Sequence, residues 1–121
     1  MKLSHVFIFN ALVALVYAIG FVIVPNTVMG LHGLPAGETQ ALMARYFGVA
    51  LIGLGLVAWF VRDVAHPPMK DGITISLFVS SLVGFVLSIQ ATLSGQMNVV
   101  GWLPTAVYLL LFLGFGYFRF F

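Results

Sequence analysis

The chain has no cysteine, so disulfide frameworks, thiolate metal sites and dithiol redox chemistry are excluded together. Charge is almost as scarce: 7% of the 121 residues are charged, against about 25% in a soluble domain. The acidic residues Glu38, Asp63 and Asp71 all fall at the ends of apolar runs or between them. Proton-coupled cation exchange through a carboxylate inside a span, as in four-helix antiporters of this size, therefore has no residue to use. The basic residues are scattered singly and the net charge is only +2, which leaves no footprint for nucleic acid. His5, His32 and His66 sit near a terminus or in connections on opposite sides of the apolar runs. They do not gather as ligands, and neither a metal nor a cofactor is implied.

What fills the chain is apolar residues, 62% of the total. A bilayer crossing takes about 20 residues, so four crossings with short connections use the whole length and leave no room for a soluble domain. The expected architecture is all-α, one membrane-embedded bundle over residues 1–121 with spans at about 3–24, 39–61, 72–93 and 99–118. The first run exceeds the ~7 to 15 residues of a signal-peptide core and reads as a span. It should stop at Pro25-Asn26, where proline interrupts the backbone ladder. The segment PNTVMGLHGLPAGE, with three glycines and two prolines in fourteen residues, reads as a surface loop. Asp71 reads as the N-cap of the third span. Lys2, Arg62, Lys70 and Arg119 all lie at one end of the spans, so the positive-inside rule predicts up-down-up-down topology with both termini cytoplasmic. The expected location is the inner membrane of a prokaryote.

Small residues mark the packing faces. Ala41, Ala44, Gly48, Gly55 and Ala58 recur at spacings of three, four, seven and three on the second span. Ser76, Ser80, Gly84, Ser88 and Thr92 repeat every four residues on the third. Such faces let helices approach closely where no hydrophobic drive exists, and together they predict a tight pair between spans two and three. Asn10 and Ser80 share a level in the inner half, where a hydrogen bond between them would fix register.

Arg45 is the one permanent charge within a span, at a cost of roughly 2.5 to 3.5 kcal/mol near a helix centre. At about 1.5 Å per residue, Tyr17, Arg45, Ser88 and Tyr108 reach a similar level, on the order of 10 Å below the outer end, with Gln90 and Thr105 slightly nearer the surface. These six residues are the candidate ligand-binding set: an outward-opening polar pocket whose cation would suit a quinone carbonyl or an anionic lipid headgroup. Alternatively Arg45 snorkels outward or pairs with Glu38.

Further motifs are a first span ending at Pro25, the Leu31-x-Gly33-Leu34-Pro35 loop, Arg45-Tyr46-Phe47-Gly48 opening the second span and Gly114-Phe115-Gly116-Tyr117 closing the fourth. With these the chain resembles DoxX-like four-helix bacterial membrane proteins over nearly its full length. That resemblance implies a four-helix fold and, for some members, quinone-linked thiosulfate oxidation. The chain shows no sulfur-handling residues, so that activity is not carried over. Vitamin K epoxide reductase-type chemistry lacks its Cys-x-x-Cys. A fluoride channel is disfavoured because the Thr-Phe-Ser stretch is missing and the glycines follow Arg45-Tyr46.

No base, nucleophile and metal come together, so catalysis is not expected. The first functional expectation is an interaction protein, an accessory subunit or lipid-associated scaffold, held among membrane lipids in a homo-oligomer or larger complex. The alternative is a small-molecule binding or transport protein that uses the Arg45 pocket. A quinone-linked enzyme comes third, by the DoxX-like analogy alone.

Overall fold

The computed structural model describes residues 2–35 and 37–121. Among them 85% are helical and none are in strands. The elements are α1 (Leu3–Ile23), α2 (Pro25–Leu31), α3 (Glu38–Val61), α4 (Pro67–Leu93) and α5 (Trp102–Phe120), the last entered through a 3-10 turn at Val99–Gly101. Four helices are long and apolar enough to cross a membrane, which marks a multi-pass membrane protein. Their outer faces are apolar, with Val16, Met43, Phe60 and Leu93 among many large exposed side chains. In water such a surface would aggregate; in lipid it is already solvated.

Helix starts depart from the sequence reading in two places, both at proline. The segment after the first span is not wholly loop. Pro25 ends α1 and occupies the first turn of α2, where its missing N–H would have been unpaired anyway. The third crossing begins at Pro67 rather than after Asp71. His66 is its N-cap, Nδ1 accepting from the Met69 N–H at 3.3 Å, and two prolines form the first turn. His5 has a similar role at the start of α1, its Nδ1 accepting from the Lys2 N–H at 3.2 Å. At 27 residues, α4 is about 40 Å long and outruns a hydrocarbon core of about 30 Å. Its Lys70 end emerges and donates from Nζ to the Arg62 carbonyl at 3.0 Å.

The expected tight pair of α3 with α4 is not formed. The helices associate as α1 with α3 and α4 with α5. The small face of α3 is nonetheless a packing face: Ala41, Ala44, Gly48, Gly55 and Ala58 are buried. A Cβ on Gly48 would lie 2.8 Å from Val22 Cγ2 and 3.1 Å from the Ala18 carbonyl oxygen, and one on Gly55 would lie 2.8 Å from Leu15 Cγ. The matching surface is Ala11, Ala14 and Ala18 of α1, all buried. The α3 face is buried against α1 rather than α4 because α1 also carries a small face, and it is the one that fits.

The four-residue seam of α4 meets α5. A Cβ on Gly84 would strike the Tyr108 ring at 2.7 Å, and Ser88 is buried while Ser76 and Ser80 are exposed. That divergence is geometric, since each step of four advances about 40° around a helix of 3.6 residues per turn. Ser76 Oγ donates to its own helix at Gly72 O, 2.8 Å away, and Ser80 Oγ to Leu77 O at 3.3 Å. The expected Asn10–Ser80 bond is therefore not made.

Among the described residues, all four long helices share a buried cluster toward one end of the bundle. Val6, Phe7 and Ala11 of α1, Ala58 and Val61 of α3, Leu77 of α4 and Leu111 and Phe115 of α5 form one buried cluster. The Phe7 and Phe115 rings lie 5.2 Å apart at its centre. Further along, Ala14, Ala18 and Leu51 form a separate cluster belonging to α1 and α3 alone.

Gly48→Ala should destabilise the fold by about 1 to 3 kcal/mol through overpacking. Gly53→Ala, on the open side of α3 with nothing within 4 Å of the added methyl, should stay within about 0.5 kcal/mol of the parent. Unfolding in mixed micelles measures both, and equal effects would contradict the close α1–α3 contact.

Candidate functional site: a cavity between the helix pairs

Where the two pairs separate beyond the shared cluster, a half-enclosed, predominantly apolar cavity of about 220 Å³ opens between them. Asn10, Ala14 and Tyr17 of α1 face it, spaced by four and three residues along one side of that helix. Leu51 comes from α3, Ser88 from α4, Tyr108 and Leu111 from α5, and Met29, His32 and Met97 from the segments above. Ala14 and Ser88 are too small to fill the gap that larger side chains would close.

The roof is α2 with the turn that follows it. The buried His32 places Nδ1 2.9 Å from the Val28 carbonyl and Nε2 3.0 Å from the Tyr17 hydroxyl. A carbonyl can only accept, so Nδ1 carries the ring proton and donates, and Nε2 is left to accept from the Tyr17 O–H. The Tyr17 proton is thereby committed to His32, and its oxygen presents lone pairs to the cavity.

Asn98 ties this roof to the connection between α4 and α5. Its backbone N–H donates to the His32 carbonyl at 3.0 Å, its Nδ2 donates to the Leu31 carbonyl at 3.0 Å, and its Oδ1 accepts from the Val100 N–H at 2.9 Å. Leu31 ends a short helix, so these bonds also satisfy carbonyls that have no partner within it. Gly33 makes the approach feasible: its φ is +74°, and a Cβ there would lie 3.1 Å from the Asn98 nitrogen.

The sequence-derived ligand set divides. Tyr17, Ser88 and Tyr108 line the cavity together. Thr105 is buried, but its hydroxyl donates to Gly101 O of the preceding turn at 2.9 Å. Gln90 is exposed, and neither it nor Thr105 belongs to the lining.

Arg45 lies outside the cavity, on the exposed side of α3, and its Nε donates to the Val22 carbonyl of α1 at 3.3 Å. Val22 is in the last turn of α1, where carbonyls lack helical partners and carry the negative end of the dipole. The cation thus caps a neighbouring helix. Among the described residues the ion pair present is Arg62 with Asp63, not Arg45 with Glu38.

Two polar side chains of the lining, His32 and Asn10, are not in the sequence-derived ligand set. In sequence His32 stands alone in a connection, and it is α2 that turns this segment back over the bundle. The available signal was Pro25, which can start a helix as well as end one. Asn10 shares its level with Ser80, whose hydroxyl is instead bonded within α4.

Tyr17→Phe leaves the buried His32 Nε2 without a donor, and His32→Leu leaves the Tyr17 hydroxyl without its acceptor. Each should cost about 1 to 3 kcal/mol of stability. The double variant should cost clearly less than the sum. Additive losses in a double-mutant cycle, followed by thermal unfolding in detergent, would show the bond to be absent. No family model, curated protein or solved structure matches the chain.

Proposed function

We propose that the protein is a non-catalytic membrane binding protein, holding a small neutral molecule in the cavity between its two helix pairs. The observation carrying this reading is the cavity itself, about 220 Å³ with polar groups at both ends of an apolar wall. Binding sites for small molecules usually have this make-up. No Lys, Arg, Asp or Glu is among the lining residues, which favours a neutral guest such as a quinone ring over an anionic lipid headgroup. With Arg45 capping α1, the pocket no longer needs a cation to define it.

A scaffold role would rest on small-residue faces left free for partners, and the α3 face is used on α1 instead. What remains outside is Gly72, Ser76 and Ser80 on α4, which supports a docking contact with another helix as the second reading.

The orientation proposed is up-down-up-down with cytoplasmic termini in a prokaryotic inner membrane. Lys2, Arg62, Lys70 and Arg119 support it, since they flank the end where all four helices share a core. The cavity then lies toward the outer leaflet. The motifs shared with DoxX-like proteins support a relationship to that family.

Protein purified from its native membrane should release a neutral small molecule on solvent extraction, detected by mass spectrometry. Ser88→Phe, which fills the cavity from α4, should remove that molecule while keeping the parent's circular dichroism and elution volume, and Arg45→Leu should retain it. Identical extracts from parent and Ser88→Phe would overturn the binding reading, and loss with Arg45→Leu alone would return the site to the arginine.

A further inference from the structure

We infer that the guest of this cavity carries a hydrogen-bond-accepting carbonyl, recognised by the carboxamide of Asn10 at the end nearest the four-helix core. The inference rests on the binding reading above and adds the chemical class of the guest.

The Asn10 Nδ2 is buried and has no hydrogen-bond partner in the protein, while Asn10 is one of the residues lining the cavity. An unpaired amide donor away from water is among the costlier groups a protein can carry. Half a turn about the terminal bond exchanges the two ends of the amide. An unpartnered carbonyl oxygen facing protein is better tolerated than an unpartnered N–H, so the favoured setting with a guest present aims NH₂ into the cavity. That arrangement asks for an acceptor.

Three other hydroxyls near the cavity are already engaged. The Tyr17 O–H donates to His32, and the hydroxyls of Thr92 and Thr105 donate to carbonyls of their own helices. The Tyr108 and Ser88 hydroxyls remain at the wall, so the assignment to Asn10 has to be tested against them.

Size narrows the class further. An apolar cavity of about 150 Å³ accommodates benzene, and one of about 220 Å³ has room for a ring with a short substituent. A ring-sized aryl ketone therefore combines the two requirements, volume and acceptor.

The test uses the full chain in detergent micelles with ¹³C-methyl methionine. Met29 and Met97 line the cavity, whereas Met43 and Met69 are 65% and 45% exposed on the outside and report partition of a probe into the micelle. Two probes of nearly equal size are titrated: acetophenone, which has the carbonyl, and ethylbenzene, which lacks it.

Acetophenone should shift the Met29 and Met97 methyls at about tenfold lower micellar concentration than ethylbenzene, as expected for about 1.4 kcal/mol. Met43 and Met69 should respond alike to both probes. Asn10→Leu should abolish the preference while ethylbenzene still binds.

Equal titration by the two probes in the parent protein overturns the carbonyl assignment and leaves the cavity as a binding site. A preference that survives Asn10→Leu moves the contact to Tyr108 or Ser88 and overturns the role of Asn10. If neither probe moves Met29 and Met97 beyond the outer methionines, the binding reading fails together with the inference.

Discussion

Everything in this fold follows from two helix pairs that pack closely within themselves and join each other at one end. The closeness comes from glycine and alanine. Gly48 and Gly55 seat against the Ala18 and Ala11 backbone, and Gly84 takes the flat of the Tyr108 ring. Without a hydrophobic drive between helices in lipid, van der Waals contact at this range is the main attraction available. The bulky side chains are gathered where the tilted rings of Phe7 and Phe115 meet among the four helices. Beyond them, facing positions hold Ala14, Leu51 and Ser88, and the space they leave is the cavity.

A gap of this kind is costly unless closed or filled. Closure at the end away from the four-helix core is polar: Asn98 bonds to the Leu31 and His32 carbonyls, and His32 bonds onward to Tyr17. This one chain of hydrogen bonds runs from the α4–α5 connection through the roof to α1, so the mouth of the cavity is held by both pairs. At the end nearest the four-helix core Asn10 contributes an amide with an unpaired donor. The cavity is therefore shaped and polarised at its two ends by side chains from different elements.

Much of the fold was legible in the sequence because its signals are one-dimensional. Apolar runs of membrane-crossing length correspond to the four long helices, and small residues at helical spacing mark the buried face of α3. On α4 the same kind of spacing stays with the contact only at Gly84 and Ser88 and leaves Ser76 and Ser80 exposed. Pairing was not legible. Gly48 and Gly55 announce a close contact but not with whom, and the alanines of α1, set among larger apolar residues, carry no stronger mark than any other alanines.

Depth counting brought Tyr17, Ser88 and Tyr108 to one level because rise per residue is fixed. It could not say which way Arg45 turns around its helix, and the guanidinium went to the end of α1 instead of the interior. Charge drew attention to Arg45, whereas the cavity wall is made of uncharged groups whose importance appears only once α2 is folded over them. Asn98 and His32 belong to connections, and contacts between connections that are distant in sequence leave no periodic trace.

If space remains between the pairs at the level of Tyr17 and Tyr108, a crystal structure determined under xenon pressure will reveal it, since apolar cavities of this size take up xenon. Density for xenon, or for a guest already in place, is expected within the walls formed by Ala14, Leu51, Ser88 and Tyr108. Finding those four side chains in mutual contact, with α1 and α3 packed along their whole length against α4 and α5, would contradict that expectation.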